Sequence, residues 1–261
     1  MNCLIETALL THGLRSIANE ELAQSWHCPD AILAWVDGGE LKIGPIGEYL
    51  PFRERSEELV RIDCDHLEEA RQSRASGALT ASGTMAVCRR LDIPMAITCG
   101  MGGIGDLRGE ELCPDLPALM NIPVALISTS PKDMLDRPAT LDWLRRHGVH
   151  TAGEPCTGYL FCGEPVALEL PLSSCNNEAA VRRLTADGGL LILNPIPEKE
   201  RVQDRSILVD AIKAGKQAEA EGRYYHPAAN GEIDRRTDGY SSRIQLESIQ
   251  QNYLLAKSIM D

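Results

Sequence analysis

Short apolar runs alternate with amphipathic stretches along the whole chain. Ala31–Val36 (AILAWV) reads as a strand, and the turn signal Asp37-Gly38-Gly39 leads into a second short strand, Glu40–Ile43. Ile93–Thr98 (IPMAIT), Pro123–Ile127 (PVALI) and Gly189–Leu193 (GLLIL) are apolar runs of strand length. Helical spacing of apolar residues recurs in Glu57–Arg71, Thr80–Leu91, Thr140–His147, Ser206–Glu221 and Gln245–Met260. Gly148 is the stop signal after the third of these. Strands that are apolar on both faces must be covered on both faces. The pattern therefore predicts an α/β fold, a three-layer α/β/α arrangement around a largely parallel mixed sheet. No linker, repeat or low-complexity segment interrupts residues 1–261, which read as a single domain. Ligands in such sheets collect at the carboxyl ends of strands. Three loops fall there: the glycine-rich segment after Thr98, Ser128-Thr129-Ser130-Pro131-Lys132, and Asn194-Pro195-Ile196-Pro197.

Charge narrows the choice of ligand. The 261 residues carry 26 Lys and Arg against 38 Asp and Glu, a net charge of −12. Such a surface argues against non-specific binding to nucleic acid, which needs clustered cations. One local basic pocket for a single phosphate remains possible. No segment approaches the roughly 20 apolar residues that span a bilayer, so no membrane partner is expected. The first ten residues, MNCLIETALL, lack the basic start of a secretory signal. Nine cysteines at irregular spacing, without a CxxC pair, point to reduced thiols in a cytoplasmic protein.

Gly100-Met101-Gly102-Gly103-Ile104-Gly105 matches GxGxxG after a strand. The residues that follow, Asp106-Leu107-Arg108-Gly109-Glu110-Glu111, carry no apolar helical face, as a dinucleotide fingerprint would require. The segment reads as a loop whose backbone passes close to a small ligand; the plain alternative is a tight turn. Lys132, at a strand's carboxyl end, suits an amine nucleophile for a sugar carbonyl carbon if desolvated, and otherwise is a solvated surface charge. Asp115 can hold a hard cation through oxygen or cap a helix. Glu6, in the apolar segment that begins the fold, is either a buried general acid with a raised pKa or a strand-edge side chain facing water.

Taken in order, these segments resemble the pseudouridine-5′-phosphate glycosidase family, also called the indigoidine synthase A-like family. Ile5-Glu6-Thr7-Ala8-Leu9-Leu10-Thr11-His12-Gly13 resembles its opening E-S-T-I-I-x-H-G. Gly77-Ala78-Leu79-Thr80-Ala81-Ser82-Gly83-Thr84-Met85 resembles G-A-T-T-V-A-x-T-M, and Thr98-Cys99-Gly100-Met101-Gly102-Gly103 resembles T-G-G-I-G-G. Asp115-Leu116 matches the end of D-I-S-A-D-L, and Pro131-Lys132-Asp133-Met134-Leu135-Asp136 resembles A-K-S-I-L-D. Asn194-Pro195-Ile196-Pro197-Glu198 is identical to N-P-I-P-E.

The resemblance implies reversible cleavage of the carbon–carbon bond between ribose 5-phosphate and uracil through a lysine imine. It carries the nucleophile to Lys132, the proton donor to Glu6 and a hydrated manganese, or another divalent cation, to Asp115. It places Arg61, Thr80, Thr98, Gly102, Gly103, Cys113, Asn194 and Gln245 around the substrate, and it implies a homotrimer. The partners expected are a sugar phosphate and a nucleobase-like aglycone. Several positions depart from the pattern. Arg61 stands for a phosphate-side lysine, Cys113 for a serine and Gln245 for an asparagine. Ile104-Gly105-Asp106, with Arg108 nearby, replaces a histidine-bearing loop, and T-P-F-L-L becomes His226-Pro227-Ala228-Ala229-Asn230. By the resemblance, several of these positions line the base side of the pocket, so the sugar-phosphate chemistry is expected to persist while the aglycone stays open. The alternatives are a C-glycoside synthase for C-nucleoside or pigment formation and a non-catalytic sugar-phosphate-binding paralogue.

Overall fold

The computed structural model describes residues 2–105, 113–223 and 225–260. In chain order the strands are β1 (Cys3–Ile5), β2 (Leu33–Asp37), β3 (Glu40–Gly44), β4 (Val60–Ile62), β5 (Gly77–Leu79) and β6 (Met95–Ile97). They continue with β7 (Gly100–Met101), β8 (Ala125–Ser128), β9 (Ser130–Pro131), β10 (His150–Gly153) and β11 (Leu190–Leu193). Among the described residues, nine strands make one sheet in the order β10-β11-β8-β6-β1-β2-β5-β4, with β3 paired to β2 as a hairpin. From β10 to β2 every neighbouring pair is parallel.

Alternation within the strands builds two cores. Ile5, Met95, Ile97, Ile127 and Ile192 point to one face of the sheet. Leu4, Ala96, Leu126, Leu191 and Leu193 point to the other. A period of two in side-chain direction, with both directions apolar, accounts for the unbroken apolar runs in the sequence. Helices Ala81–Arg90, Asp115–Asn121 and Arg137–Arg146 cover the second face; Ser206–Ala220, Tyr225–Arg236 and Tyr240–Met260 cover the first. The expected three-layer α/β arrangement is thus present.

One feature of the sheet positions the site. β1 meets β2 through Ile5 and Leu33 alone, so β2 runs on past the end of β1. β5 returns antiparallel along that extension, pairing Ala78 with Trp35. Its end therefore lies beside the end of β1, where the Thr7 amide donates to the Leu79 carbonyl at 3.1 Å. β4 follows β5 in parallel and sets Arg61 opposite Ala78.

One helix expectation is overturned. Glu57–Arg71 contains β4 and, only at its end, a short helix, Leu67–Gln72. Pairing of Val60-Arg61-Ile62 with Gly77-Ala78-Leu79 outweighs the local helical spacing, as tertiary context does for marginal propensities. No described helix is long and apolar enough to cross a membrane.

Candidate active site

The carboxyl ends of β1, β6 and β8 are adjacent, and each releases a polar residue at the same rim. Glu6 follows β1, with its amide bonded to the Ile97 carbonyl at 2.9 Å. Thr98 follows β6, and its hydroxyl donates to Glu6 Oε1 at 2.7 Å. Beyond β8 the chain forms β9, which pairs with β7 of the glycine segment. The next residue, Lys132, donates its backbone amide to Met101 at 3.2 Å. The glycine segment is therefore a short strand tied to the lysine loop. It opens no helix over residues 100–105, which excludes the dinucleotide reading there.

Gly100 and Gly102 are needed for close approach. A Cβ on Gly100 would come within 2.6 Å of the Tyr159 ring. A Cβ on Gly102 would lie 2.0 Å from Cys113 Sγ and 3.1 Å from Asp115 Oδ2. The Gly102 amide instead donates to Asp115 Oδ2 at 2.8 Å, while Asp115 Oδ1 accepts from the Ser82 amide at 3.1 Å. Asp115 is the first residue of its helix, but its carboxylate braces two other segments rather than capping that helix. Cys113 beside it has its thiol pushed up to about 12 by burial.

The cleft formed here is narrow, with a cavity volume of about 40 Å³. Glu6, Arg61, Thr80, Thr98, Asp115 and Lys132, all singled out from sequence, line it together. Tyr159 joins them without any sequence signal, because it comes from a remote loop, and Asn230 joins from the altered segment His226–Asn230. Thr80 caps helix Ala81–Arg90, accepting from the Gly83 amide at 3.3 Å. Tyr159 is fixed from the residue next to the lysine: Asp133 accepts the amides of Tyr159, Leu160 and Phe161 at 2.7–3.0 Å.

The remaining predicted residues stand behind this lining. Gly103 packs against Thr140. Gln245 is buried, accepting from the Tyr159 hydroxyl at 2.9 Å and donating to the Ser241 carbonyl at 3.1 Å. Asn194 donates to Asn252 Oδ1 at 3.0 Å, and Asn252 in turn donates to the Thr98 carbonyl at 2.8 Å. Asn194 thus supports Thr98 from two bonds away, while its loop borders a separate surface groove. The departures at Asp106 and Arg108 lie outside the described residues.

Burial tunes the two reactive groups in opposite senses. Glu6 is 6% exposed, and loss of water pushes its pKa up to about 7. Asp115 adds to the rise, whereas the Thr98 hydroxyl, Lys132 and Arg61 oppose it. Desolvation drives the Lys132 pKa down, helped by Arg61 and opposed by Glu6 and Asp115. A carboxyl that holds a proton near neutrality suits a general acid, and an amine whose pKa is pushed down is shifted in the direction a nucleophile needs. Glu6 is thus buried and does not face water, whereas Lys132 is half-buried at the cleft.

A divalent ion has one direct ligand available here. Among the described residues no three His, Cys, Asp or Glu side chains cluster as a metal-ligating group. Each Asp115 oxygen accepts one amide and keeps a further lone pair. That fits a hydrated hard ion touched by one carboxylate and does not fit a closed protein cage.

Known proteins carry the same chain plan. A pseudouridine-5′-phosphate glycosidase from Methylobacterium nodulans is 28% identical over 98% of this chain and 81% of its own length. One from Petrotoga mobilis is 26% identical over 98% and 89%. The crystal structure of an indigoidine synthase A-like protein from Thermotoga maritima superposes with a TM-score of 0.79 at 20% identity, over 98% of this chain and 91% of that one. The prealnumycin C-glycosynthase in complex with ribulose 5-phosphate superposes with a TM-score of 0.76 at 21% identity, with the same coverage. Residues 4–260 match the family described as indigoidine synthase A like protein, and the chain belongs to that family.

Proposed function

We propose that the chain is a C-glycosidase acting on a ribose 5-phosphate C-glycoside, with pseudouridine 5′-phosphate as its substrate. The observation that carries this reading is the meeting of Lys132 and Glu6 in one cleft, the amine pushed down and the carboxyl pushed up to about 7. Curated relatives with that name over nearly the full chain support it.

In the proposed reaction the Lys132 lone pair attacks C1′ of the sugar. The C1′–O4′ bond breaks and O4′ takes the proton that the attacking nitrogen gives up. Glu6 then gives its proton to C5 of the base, which a carbon leaving group needs because it has no heteroatom to receive it. The C1′–C5 electron pair returns to the ring while the nitrogen lone pair forms C=N at C1′. Water hydrolyses this imine to ribose 5-phosphate and restores the amine. Arg61, at the mouth, pairs with the phosphate as a fork. Asp115 would hold a hydrated divalent cation, manganese in this reading, and that cation would supply positive charge to oxygen atoms of the substrate. Homotrimeric assembly and a cytoplasmic location belong to the same reading, supported respectively by family kinship and by nine unpaired cysteines.

A second reading runs the same lysine chemistry towards bond formation with a different carbon acid. Gln245 favours it, since its amide is engaged by Tyr159 and Ser241 and does not line the cleft. Two rates on one preparation with added manganese separate the readings: borohydride trapping of ribose 5-phosphate, and uracil release from pseudouridine 5′-phosphate. Uracil release with kcat/KM of about 10⁴ M⁻¹s⁻¹ or above is expected for the glycosidase. Fast trapping with negligible uracil release establishes the second reading instead. Absence of trapping, with ribose 5-phosphate still bound, leaves a sugar-phosphate binder.

A further inference from the structure

Helix Tyr240–Met260 packs apolar residues on β1, β6 and β8, yet it also sets a fully buried amide, Asn252, against the ends of the strands. Both sides of this amide are bonded. Its oxygen accepts from Asn194 Nδ2, just past β11, at 3.0 Å. Its nitrogen donates to the Thr98 carbonyl, just past β6, at 2.8 Å and to Thr129 Oγ1, just past β8, at 3.2 Å. One side chain thus ties the carboxyl ends of three neighbouring strands, where ladder pairing stops and backbone groups need other partners. Thr129 is anchored in turn: its amide donates to the Cys99 carbonyl at 2.7 Å, and its hydroxyl meets that of Ser248 on the same helix. An amide in an apolar layer is destabilising unless its bonds are made; once made, they hold its partners rigidly.

Thr98 links this joint to the cleft. Its amide donates to the Ile127 carbonyl at 2.9 Å, its carbonyl accepts from Asn252, and its hydroxyl donates to Glu6 Oε1 at 2.7 Å. The Glu6 amide is bonded to the carbonyl of the preceding residue, Ile97. The carboxyl is therefore held, through backbone and side chain, by the last turn of chain out of β6. Asn252 is not among the described residues that line the cleft, so it reaches the carboxyl through Thr98. We propose that Asn252 is a positioning residue: it fixes Thr98 so that the Thr98 hydroxyl aims the Glu6 carboxyl at the leaving carbon. The kinetic part of the proposal rests on the glycosidase reading above.

The test reads the carboxyl itself as well as turnover. In carbon-13 spectra of the full chain labelled at its glutamate carboxyls, the Glu6 resonance is the one missing from Glu6→Gln. It is expected to move in Asn252→Leu, in the same direction as in Thr98→Val, which keeps the branched shape and deletes the hydroxyl. For cleavage of pseudouridine 5′-phosphate, Asn252→Leu is expected to lower kcat about tenfold or more with KM changed less than about threefold, since a small misplacement at the reacting centre is costly. Borohydride trapping of free ribose 5-phosphate, which uses Lys132, should stay within about twofold of wild type. In the Thr98→Val background, Asn252→Leu should cost less than about twofold more, because two changes on one path do not add. Asn252→Ala, which empties the position instead of filling it, supplies the same comparisons should leucine prevent folding. A Glu6 resonance unmoved by loss of the Asn252 amide, equal losses of trapping and cleavage, or additive losses in the double variant overturns the proposal. A resonance that moves in a chain releasing no uracil upholds the positioning role and overturns the glycosidase reading. Efficient uracil release by wild type and variants alike, with the resonance unmoved, does the reverse.

Discussion

At the residue scale, the proposed chemistry rests on two ionisable groups whose pKa values burial shifts in opposite directions. Lys132→Arg keeps a cation in the cleft but cannot form an imine, since arginine stays protonated. It is expected to retain ribose 5-phosphate binding by calorimetry while borohydride trapping and turnover vanish; turnover near the wild-type rate would remove Lys132 as nucleophile. Glu6→Gln removes the proton donor and preserves its shape. Trapping of free ribose 5-phosphate should persist, while carbon–carbon cleavage falls by about 10² to 10⁴. The pH dependence has a definite sign. Glu6 must be protonated and Lys132 neutral, so kcat/KM for cleavage is expected to fall as pH rises through about 7. The acidic limb follows protonation of Lys132, and in Glu6→Gln the alkaline fall near 7 should be absent from the residual rate.

At the scale of elements, Asp115 is a joint between two segments. It bonds the amide of Ser82, in helix Ala81–Arg90, and that of Gly102, in the glycine segment. Asp115→Ala leaves both buried amides without acceptors, a cost of about 2–5 kcal/mol by chemical denaturation, whereas Asp115→Asn keeps one acceptor and should cost less. A loss below about 0.5 kcal/mol in the alanine variant would refute the bracing role. Legibility in the sequence divides along the same line. The runs at β6, β8 and β11 and the helices from Thr80 and Ser206 were visible because each buries its own periodic face. β4, three residues long, was hidden because its pairing with β5 exists only in three dimensions. Glu6 and Lys132 were legible as motif residues at strand ends, and Asp115 as a motif residue at a helix start. Asn230 showed only as the end of the altered segment His226–Asn230, and Tyr159 not at all, since nothing local marks a loop residue that the fold brings to the cleft.

For the whole molecule, a buried carboxyl that must keep its proton has a thermodynamic signature. The folded-state pKa of Glu6 lies at about 7 against an ordinary 4.5, so the folded state binds more protons between those values. Its contribution to stability is therefore greatest below 4.5, declines as pH rises to about 7, and stays low above it. Relative to wild type, Glu6→Gln should be nearly neutral at pH 4 and more stable at pH 8 by up to about 3 kcal/mol. Urea titrations at the two pH values check this; equal differences at both would mean that Glu6 is not ionising inside the fold. A gain of stability on losing the catalytic proton is the trade expected of a strained functional group.

The turn Leu9–Gly13 is a π-helix, closed by the Leu14 amide reaching back five residues to the Leu9 carbonyl at 3.0 Å. Arg53 holds it from outside, donating to the carbonyls of Leu10, Leu14 and Ile17 at 2.6–2.9 Å. Such a turn contains one residue more than an α-helical turn needs. Chain length in these few positions is therefore an evolutionary dial on the aperture. Dropping one residue would restore ordinary helical winding, shorten the segment by about 1.5 Å and withdraw Leu9 and Gly13 from the rim. Lineages can in this way resize the entrance for a bulkier or slimmer leaving group without altering the lysine, the glutamate or the sheet that presents them.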